Sequence, residues 1–257
     1  MKKKTNLLLI GFLALIIISL TAVQVQAAPN TKLPIPKINI SVDNSNTPQQ
    51  YVDNIKLLIM LTVLTLLPSF IIMMTSFVRI VVVFSFLKSA MGAQQSIPSQ
   101  VLIGLALFLT IFIMAPTASK INKEAIQPFL NNKITQEVAY EKGTKPLKQF
   151  MLKQTRKKDL QLFKETAKID EKVQPMDMPV YSVIPAFMIS ELKRAFEMGF
   201  LLFIPFLIID LVVASILMSM GMFMLPPVMV SLPFKILLFV MVDGWYLIVK
   251  SLILSFK

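Results

Sequence analysis

Four long apolar runs alternate with polar stretches along the chain, and their lengths predict helices that cross a membrane. The first covers 57–87 and holds a single charge, Arg79. It exceeds the roughly 20 residues that a bilayer needs, so the helix must tilt, protrude or break. Pro68 and the polar pair Thr75-Ser76 are the predicted places for a bend. A polar loop over 88–100 leads into a shorter run, 101–118, which returns across the membrane. The last third repeats the pattern: runs over 200–220 and 228–256 are separated by Gly221-Met222-Phe223-Met224-Leu225-Pro226-Pro227. Each pair has an early proline (Pro68, Pro205), a Met-Gly step (Met91-Gly92, Met220-Gly221) and a proline six residues beyond (Pro98, Pro227). This is either a faint internal repeat or the turn chemistry that any two helical hairpins share.

The stretch between the pairs, 119–199, is different in kind, with 15 Lys/Arg against 10 Asp/Glu. Leu147, Phe150, Met151, Leu162 and Phe163 recur near helical spacing, which predicts an amphipathic helix with lysines on its outer surface. Pro175-Met176-Asp177-Met178-Pro179 interrupts it. A second amphipathic segment follows, with Ile184, Phe187, Met188, Leu192, Ala195 and Phe196 on its apolar side. A solvated face is the ordinary reading of the lysines, and a dedicated binding role is the alternative.

The N-terminus reads as a signal peptide, with Lys2 to Lys4 as the positive region, 7–20 as the apolar region and Val25-Gln26-Ala27 as the cleavage step. Cleavage after Ala27 is expected; an uncleaved anchor is the alternative. Pro29, Pro34, Pro36 and Pro48 among Asn, Ser and Thr make 28–54 a leader too polar to build a core. With that leader outside, four spans place both tight loops inside and 119–199 outside. The positive-inside tendency is weak for loops beyond about 60 residues, so the basic surplus does not overturn this topology. The expected fold is an all-α integral membrane protein, two helical hairpins (55–118 and 200–257) flanking a helical extracytoplasmic segment (119–199), after a cleaved signal peptide (1–27) and a leader (28–54).

Composition narrows the chemistry. Hydrophobic residues make up 55% of the chain and its mean hydropathy is +0.71. Cysteine and histidine are both absent, which removes disulfides, thiolate metal sites, thiol nucleophiles and every relay through imidazole. The seven glycines form no phosphate-binding loop, so the chain cannot power transport with ATP by itself. No cofactor and no metal are expected, and the chain is not expected to be an enzyme. The net charge of +12 becomes +9 without 1–27, and in a membrane protein it points to lipid or protein partners rather than nucleic acid.

Charges inside apolar runs need explaining, because each costs about 2.5 to 3.5 kcal/mol at the centre of a bilayer. Arg79, Asp210, Lys235, Asp243 and Lys250 stand inside or beside such runs. On one continuous helix Lys235, Asp243 and Lys250 would share a stripe yet lie too far apart to pair, so their partners must come from other helices or other chains. Snorkelling suits Lys250 and Lys235, whereas the short carboxylates of Asp210 and Asp243 cannot reach the interface. Arg79, Asp210, Lys235 and Asp243 are therefore candidate assembly residues, and a direct Arg79–Asp210 pair is one arrangement. Two aspartates also suit an intramembrane protease, but Val242-Asp243-Gly244 lacks the Gly-x-Gly-Asp setting of that chemistry. A secondary transporter using Asp210 and Asp243, and a scaffold without a pore, are the remaining alternatives.

Thr75-Ser76-Phe77-Val78-Arg79-Ile80, Ser85-Phe86-Leu87-Lys88, Gly92-Ala93-Gln94-Gln95 and Pro98-Ser99-Gln100-Val101-Leu102-Ile103-Gly104-Leu105 resemble the first hairpin of the flagellar biosynthetic FliP family. Pro185-Ala186-Phe187-Met188-Ile189-Ser190-Glu191-Leu192 and Phe203-Ile204-Pro205-Phe206-Leu207-Ile208-Ile209-Asp210-Leu211-Val212 are similar to its signature blocks. The segment 221–227 resembles its gate loop, and Asp243-Gly244-Trp245 its last helix. The resemblance runs from about Ile55 to the end. It implies a core subunit of the flagellar type III protein export gate, in the inner membrane at the flagellar basal body. Copies of the chain would assemble with FliQ and FliR and other export components into a conduit for unfolded flagellar proteins. Met222, Phe223 and Met224 would then be its gasket, although the family commonly has three methionines where Phe223 takes the middle place here. A virulence-type secretion homologue is the close alternative.

Overall fold

The structure, a computed structural model, describes residues 48–92 and 97–256. The expected signal peptide and most of the leader lie outside the described residues, as do Ala93, Gln94 and Gln95. The chain divides into two units, 1–54 and 55–257, and only the first residues of one helix are described in the former. Every regular element among the described residues is helical.

The first apolar run is not one helix. Helix α1 covers Pro48–Met73 and continues through Pro68, and α2 covers Phe77–Ala90. Thr75 makes the break: its hydroxyl donates to the Ile72 carbonyl at 2.7 Å and accepts the Phe77 N–H at 3.3 Å. One side chain thus joins the Thr75 N–H on a terminal carbonyl of the outgoing helix and serves an open N–H of the incoming one. The two halves then differ in kind. Apolar side chains of α1 such as Leu58, Val63 and Phe70 are exposed, whereas α2 buries Ile80, Val83, Phe84 and Leu87 completely.

Helix α3, Ser99–Ile121, runs through a widened turn at Asn122–Ile126 into the short α4, Gln127–Leu130. The Gln127 N–H reaches back to the Asn122 carbonyl, and Pro128, with no N–H of its own, follows directly. The predicted amphipathic helix of the middle is two helices, α5 at Gln136–Gln154 and α6 at Lys157–Thr166. Next comes α7, Val180–Ser219, a single helix that runs unbroken past Pro185, Pro205 and the expected boundary at 199/200. Its buried face carries Val183, Phe187, Ser190, Glu191 and Ala195, while Leu192 and Phe196 are exposed. The buried side is therefore rotated from the one expected from periodicity, because α2 and α6 both pack on α7 and bond its Glu191 and Ser190 through Arg79 and Asp159.

The last run also breaks. Helices α8, Pro227–Met241, and α9, Gly244–Leu254, are bent by 63° at Val242-Asp243. Asp243 adopts a left-handed conformation (φ 50°), which ends α8, and Gly244 lies so close to the Phe239 ring that a Cβ would meet it at 2.3 Å. The stripe expected for Lys235, Asp243 and Lys250 on one helix consequently does not exist.

Among the described residues, three helices are long and apolar enough to cross a membrane, those at Asn54–Met73, Ser99–Leu130 and Val180–Ser219, and the bent pair α8–α9 makes up to four. The main core gathers on α2, against α3, α7, α8 and α9, through Ile80, Phe84, Leu87, Leu109, Ala195 and Leu252. A second cluster joins Met151, Met178, Val183 and Phe187 and anchors α5 to the start of α7.

Candidate functional site

The buried charges fall into three groups. Arg79 and Glu191 are both fully buried and form an ion pair. The guanidinium has five N–H donors, and all five are used. Nε and Nη2 hold the two carboxylate oxygens of Glu191, the former at 2.9 Å. Nη2 also donates to Gln154 Oε1 at 3.1 Å, and Nη1 donates to the Ser255 carbonyl at 2.9 Å and its hydroxyl at 2.8 Å. The Phe256 ring covers the guanidinium, its centroid 3.8 Å from Cζ. Gln154 completes the group by accepting from Arg194 at 2.7 Å and donating to the Phe256 carbonyl at 3.2 Å. Four segments, α2, the end of α5, α7 and the residues after α9, thus meet on one cation.

Lys235 on α8 is the second buried cation. Its Nζ lies 2.6 Å from Asp210 Oδ2 on α7 and 3.2 Å from the carbonyl of Ala90, the last residue of α2. Ser231, one turn before Lys235, donates its hydroxyl to Asp210 Oδ1 at 2.5 Å. A lysine at a helix C-terminus is favoured by the helix dipole as well as by its counterion. Its stem is buried, so Lys235 does not snorkel.

The third group stands outside the candidate spans. Asp159 on α6 accepts from Arg156 Nε at 2.7 Å and from the Ser190 hydroxyl at 2.5 Å. Burial alone would raise this carboxyl, but the hydrogen bonds from Arg156 and Ser190, with the charges of Arg156 and Lys158, hold it below its ordinary value. Lys148 on α5 donates to the Met176 carbonyl and ties the 175–179 segment to the helix. Burial pushes its ammonium below the usual lysine value, against the pull of Asp177.

The structure thus pairs two of the four candidate assembly residues, Asp210 and Lys235, with each other, and pairs Arg79 with Glu191, which is not among the four. No Arg79–Asp210 pair forms. Asp243 is exposed at the bend and holds no partner among the described residues. Glu191 was the missing anion, and its signal was there: it is the one acid inside the apolar block 185–192. Gln154, Ser190, Ser231 and Ser255 carried no signal of their own. A two-carboxylate transport site is not assembled, since Asp210 is neutralised by Lys235 and Asp243 lies beyond the end of α8.

The apolar loop sits between α7 and α8. Gly221 (φ 75°) closes α7: its N–H bonds the Met218 carbonyl at 3.0 Å, and the Met222 N–H bonds the Leu217 carbonyl at 2.9 Å. This reversal needs a positive φ that costs glycine nothing. Pro226 and Pro227 begin α8. Met222, Phe223 and Met224 are 42%, 78% and 98% exposed, an apolar tip that the described residues leave largely open at Phe223 and Met224.

The model of the FliP family matches residues 60–252, a span that holds both buried ion pairs and the loop. The chain belongs to the FliP family. It is 59% identical to the flagellar biosynthetic protein FliP of Bacillus subtilis over 217 residues, which cover 84% of this chain and 98% of that one. It is 54% identical to the FliP of Aquifex aeolicus over 225 residues, 87% of this chain and 92% of the relative. The FliP of Caulobacter vibrioides is 50% identical over 244 residues, 95% of this chain and 91% of the relative. As a FliP-family member with helices able to cross a membrane, the chain is a membrane-associated flagellar biosynthesis protein.

Proposed function

We propose that the chain is a core subunit of the flagellar type III export gate, and that copies of it, with FliQ and FliR, line a conduit for unfolded flagellar proteins. Its place is the inner membrane at the basal body, with the tight loops inside and 119–199 outside after cleavage at Ala27. The observation that carries this reading is the exposed tip Met222-Phe223-Met224, held on a hairpin whose arms are tied by Asp210 and Lys235. An apolar turn facing water is unfavourable. Tips from several copies converging on one axis would bury one another, each side chain contributing about 1.5 to 3 kcal/mol, and a ring so apolar would exclude water and ions. Methionine suits a seal that must close again around different passing chains, because its unbranched thioether adapts to irregular surfaces.

The arrangement of buried charge supports the same reading. Arg79 is satisfied within the chain, so it adds no unpaired charge to an assembly, while broad apolar faces on α1, α3 and α7 stay open for lipid or neighbouring subunits. Replacing Met222, Phe223 and Met224 together with Ala is the direct test. The complex should assemble and export should be partly retained, but cells should leak small ions. Assembled mutant complexes as tight to ions as the wild type would reject the gasket.

A further inference from the structure

We infer that residues 90–92, at the end of α2, are a positioning element for the apolar tip: they hold the α7–α8 hairpin in its closed position and release it when a chain passes. The inference rests on the reading of Met222-Phe223-Met224 as a gate. Lys235 Nζ on α8 bonds the Ala90 carbonyl at 3.2 Å. Gly92 lies against the start of the same helix, where a Cβ added to it would stand 3.7 Å from both Val228 Cγ1 and Leu232 Cδ1. Leu87, Ala90 and Met91 are buried in the main core, so this end of α2 is a fixed post.

Two contacts of unequal strength meet on α8. Its buried residues, Ser231, Lys235 and Phe239, recur about once per helical turn, and each of them reaches α7. Ser231 and Lys235 hold the Asp210 carboxylate, and the Phe239 ring lies with its centroid 6.5 Å from that of Phe206. The seam with α2 is lighter: a longer bond to a neutral carbonyl, and the apolar contact at Gly92. When it parts, Lys235 keeps its carboxylate and no charge is stranded, while the Ala90 carbonyl, at the open end of a helix, can take water instead. Leu211, Val212, Ile216 and Met229 are exposed, so the described residues do not hold the hairpin from that side. The hairpin therefore moves as one body, and its seam with 90–92 is where it opens.

The chain has no cysteine, so the double variant Gly92→Cys, Val228→Cys gives it two thiols and no others, placed within reach of a disulfide. Assembled complexes in inverted membrane vesicles, oxidised with copper phenanthroline, should join 92 to 228 and lose export. Dithiothreitol should restore it, and neither single variant should respond to the oxidant. Export that continues through the joined form overturns the proposal, as does failure of the two positions to join in assembled complexes. Gly92 has a positive φ that a cysteine is strained to adopt, so a second variant tests the same seam from α8. Val228→Ala, Leu232→Ala should raise the ion leak of assembled complexes, and a leak at the wild-type level overturns the proposal. Joined complexes that export while the triple alanine variant at 222–224 leaks would sink the seam and leave the gate standing. A triple variant as tight as the wild type would sink the gate, and the seam with it.

Discussion

Lys235 Nζ stands between Asp210 Oδ2 at 2.6 Å and the Ala90 carbonyl at 3.2 Å, so one ammonium joins α8 to α7 and to the end of α2. The lysine side chain is 3% exposed and that of Asp210 24%, so the cation is the costlier member to strand. Removing one partner of a buried pair costs about 3 to 5 kcal/mol, and the partial opening of Asp210 places this pair near the lower end. Asp210→Ala should lower the thermal midpoint in detergent and the yield of intact complex. The double variant Asp210→Ala, Lys235→Met should recover part of both. Recovery no better than the single variant would mean that Asp210 acts through something other than its pair.

Arg79 makes a sharper case, because its geometry and not only its charge is used. Lysine keeps the charge but has three donors where five are engaged, and it cannot hold both oxygens of Glu191 from one plane. Arg79→Lys should therefore be nearly as destabilising as Arg79→Ala. The apolar pair Arg79→Met, Glu191→Leu should be milder than either single loss, because no charge is left buried alone. Thermal unfolding of Arg79→Lys, Arg79→Ala, Arg79→Met, Glu191→Leu and the double variant side by side is the measurement.

Asp243 distinguishes a backbone role from an assembly role. A left-handed conformation costs an ordinary residue about 1 kcal/mol or more, and glycine nothing. Asp243→Gly should be neutral or slightly stabilising, and Asp243→Val should cost about 1 to 2 kcal/mol. If Asp243 instead pairs across subunits, Asp243→Gly will dissociate the complex, which gel filtration of the solubilised assembly would reveal.

Acid should loosen the junction of α6 with α7. The Asp159 carboxyl is held below its unfolded value of about 3.9, so its stabilisation is complete above that value and is lost as pH falls through the lower folded value. Hydrogen exchange of the amides in Lys157–Thr166 should accelerate below about pH 4 in the wild type. Asp159→Asn should exchange faster at neutral pH and show a flatter dependence in the acid range. An unchanged pH profile in that variant would assign the acid response to another group.

Apolar length and composition were enough to identify a helical membrane protein, because a bilayer imposes a length on any helix that crosses it and the run lengths are written in the chain. Thr75-Ser76 as a breaking point was legible for a related reason: a hydroxyl can replace helix hydrogen bonds locally, whatever surrounds it. The blocks around Arg79, Asp210 and 221–227 were likewise enough to suggest the family. Which charges meet was a different kind of question. Arg79 and Glu191 are 112 positions apart, and Lys235 and the Ala90 carbonyl 145, so no local pattern links them. The bend at Asp243 turned an apparent stripe of charges into residues on two separate helices. The buried side of α7 was decided by α2 and α6, where Arg79 holds Glu191 and Asp159 holds Ser190 inward, leaving Leu192 and Phe196 facing out. Periodicity ranks residues by their liking for water, but a satisfied ion pair overrides that ranking, and only the packed chain brings the partners that satisfy it.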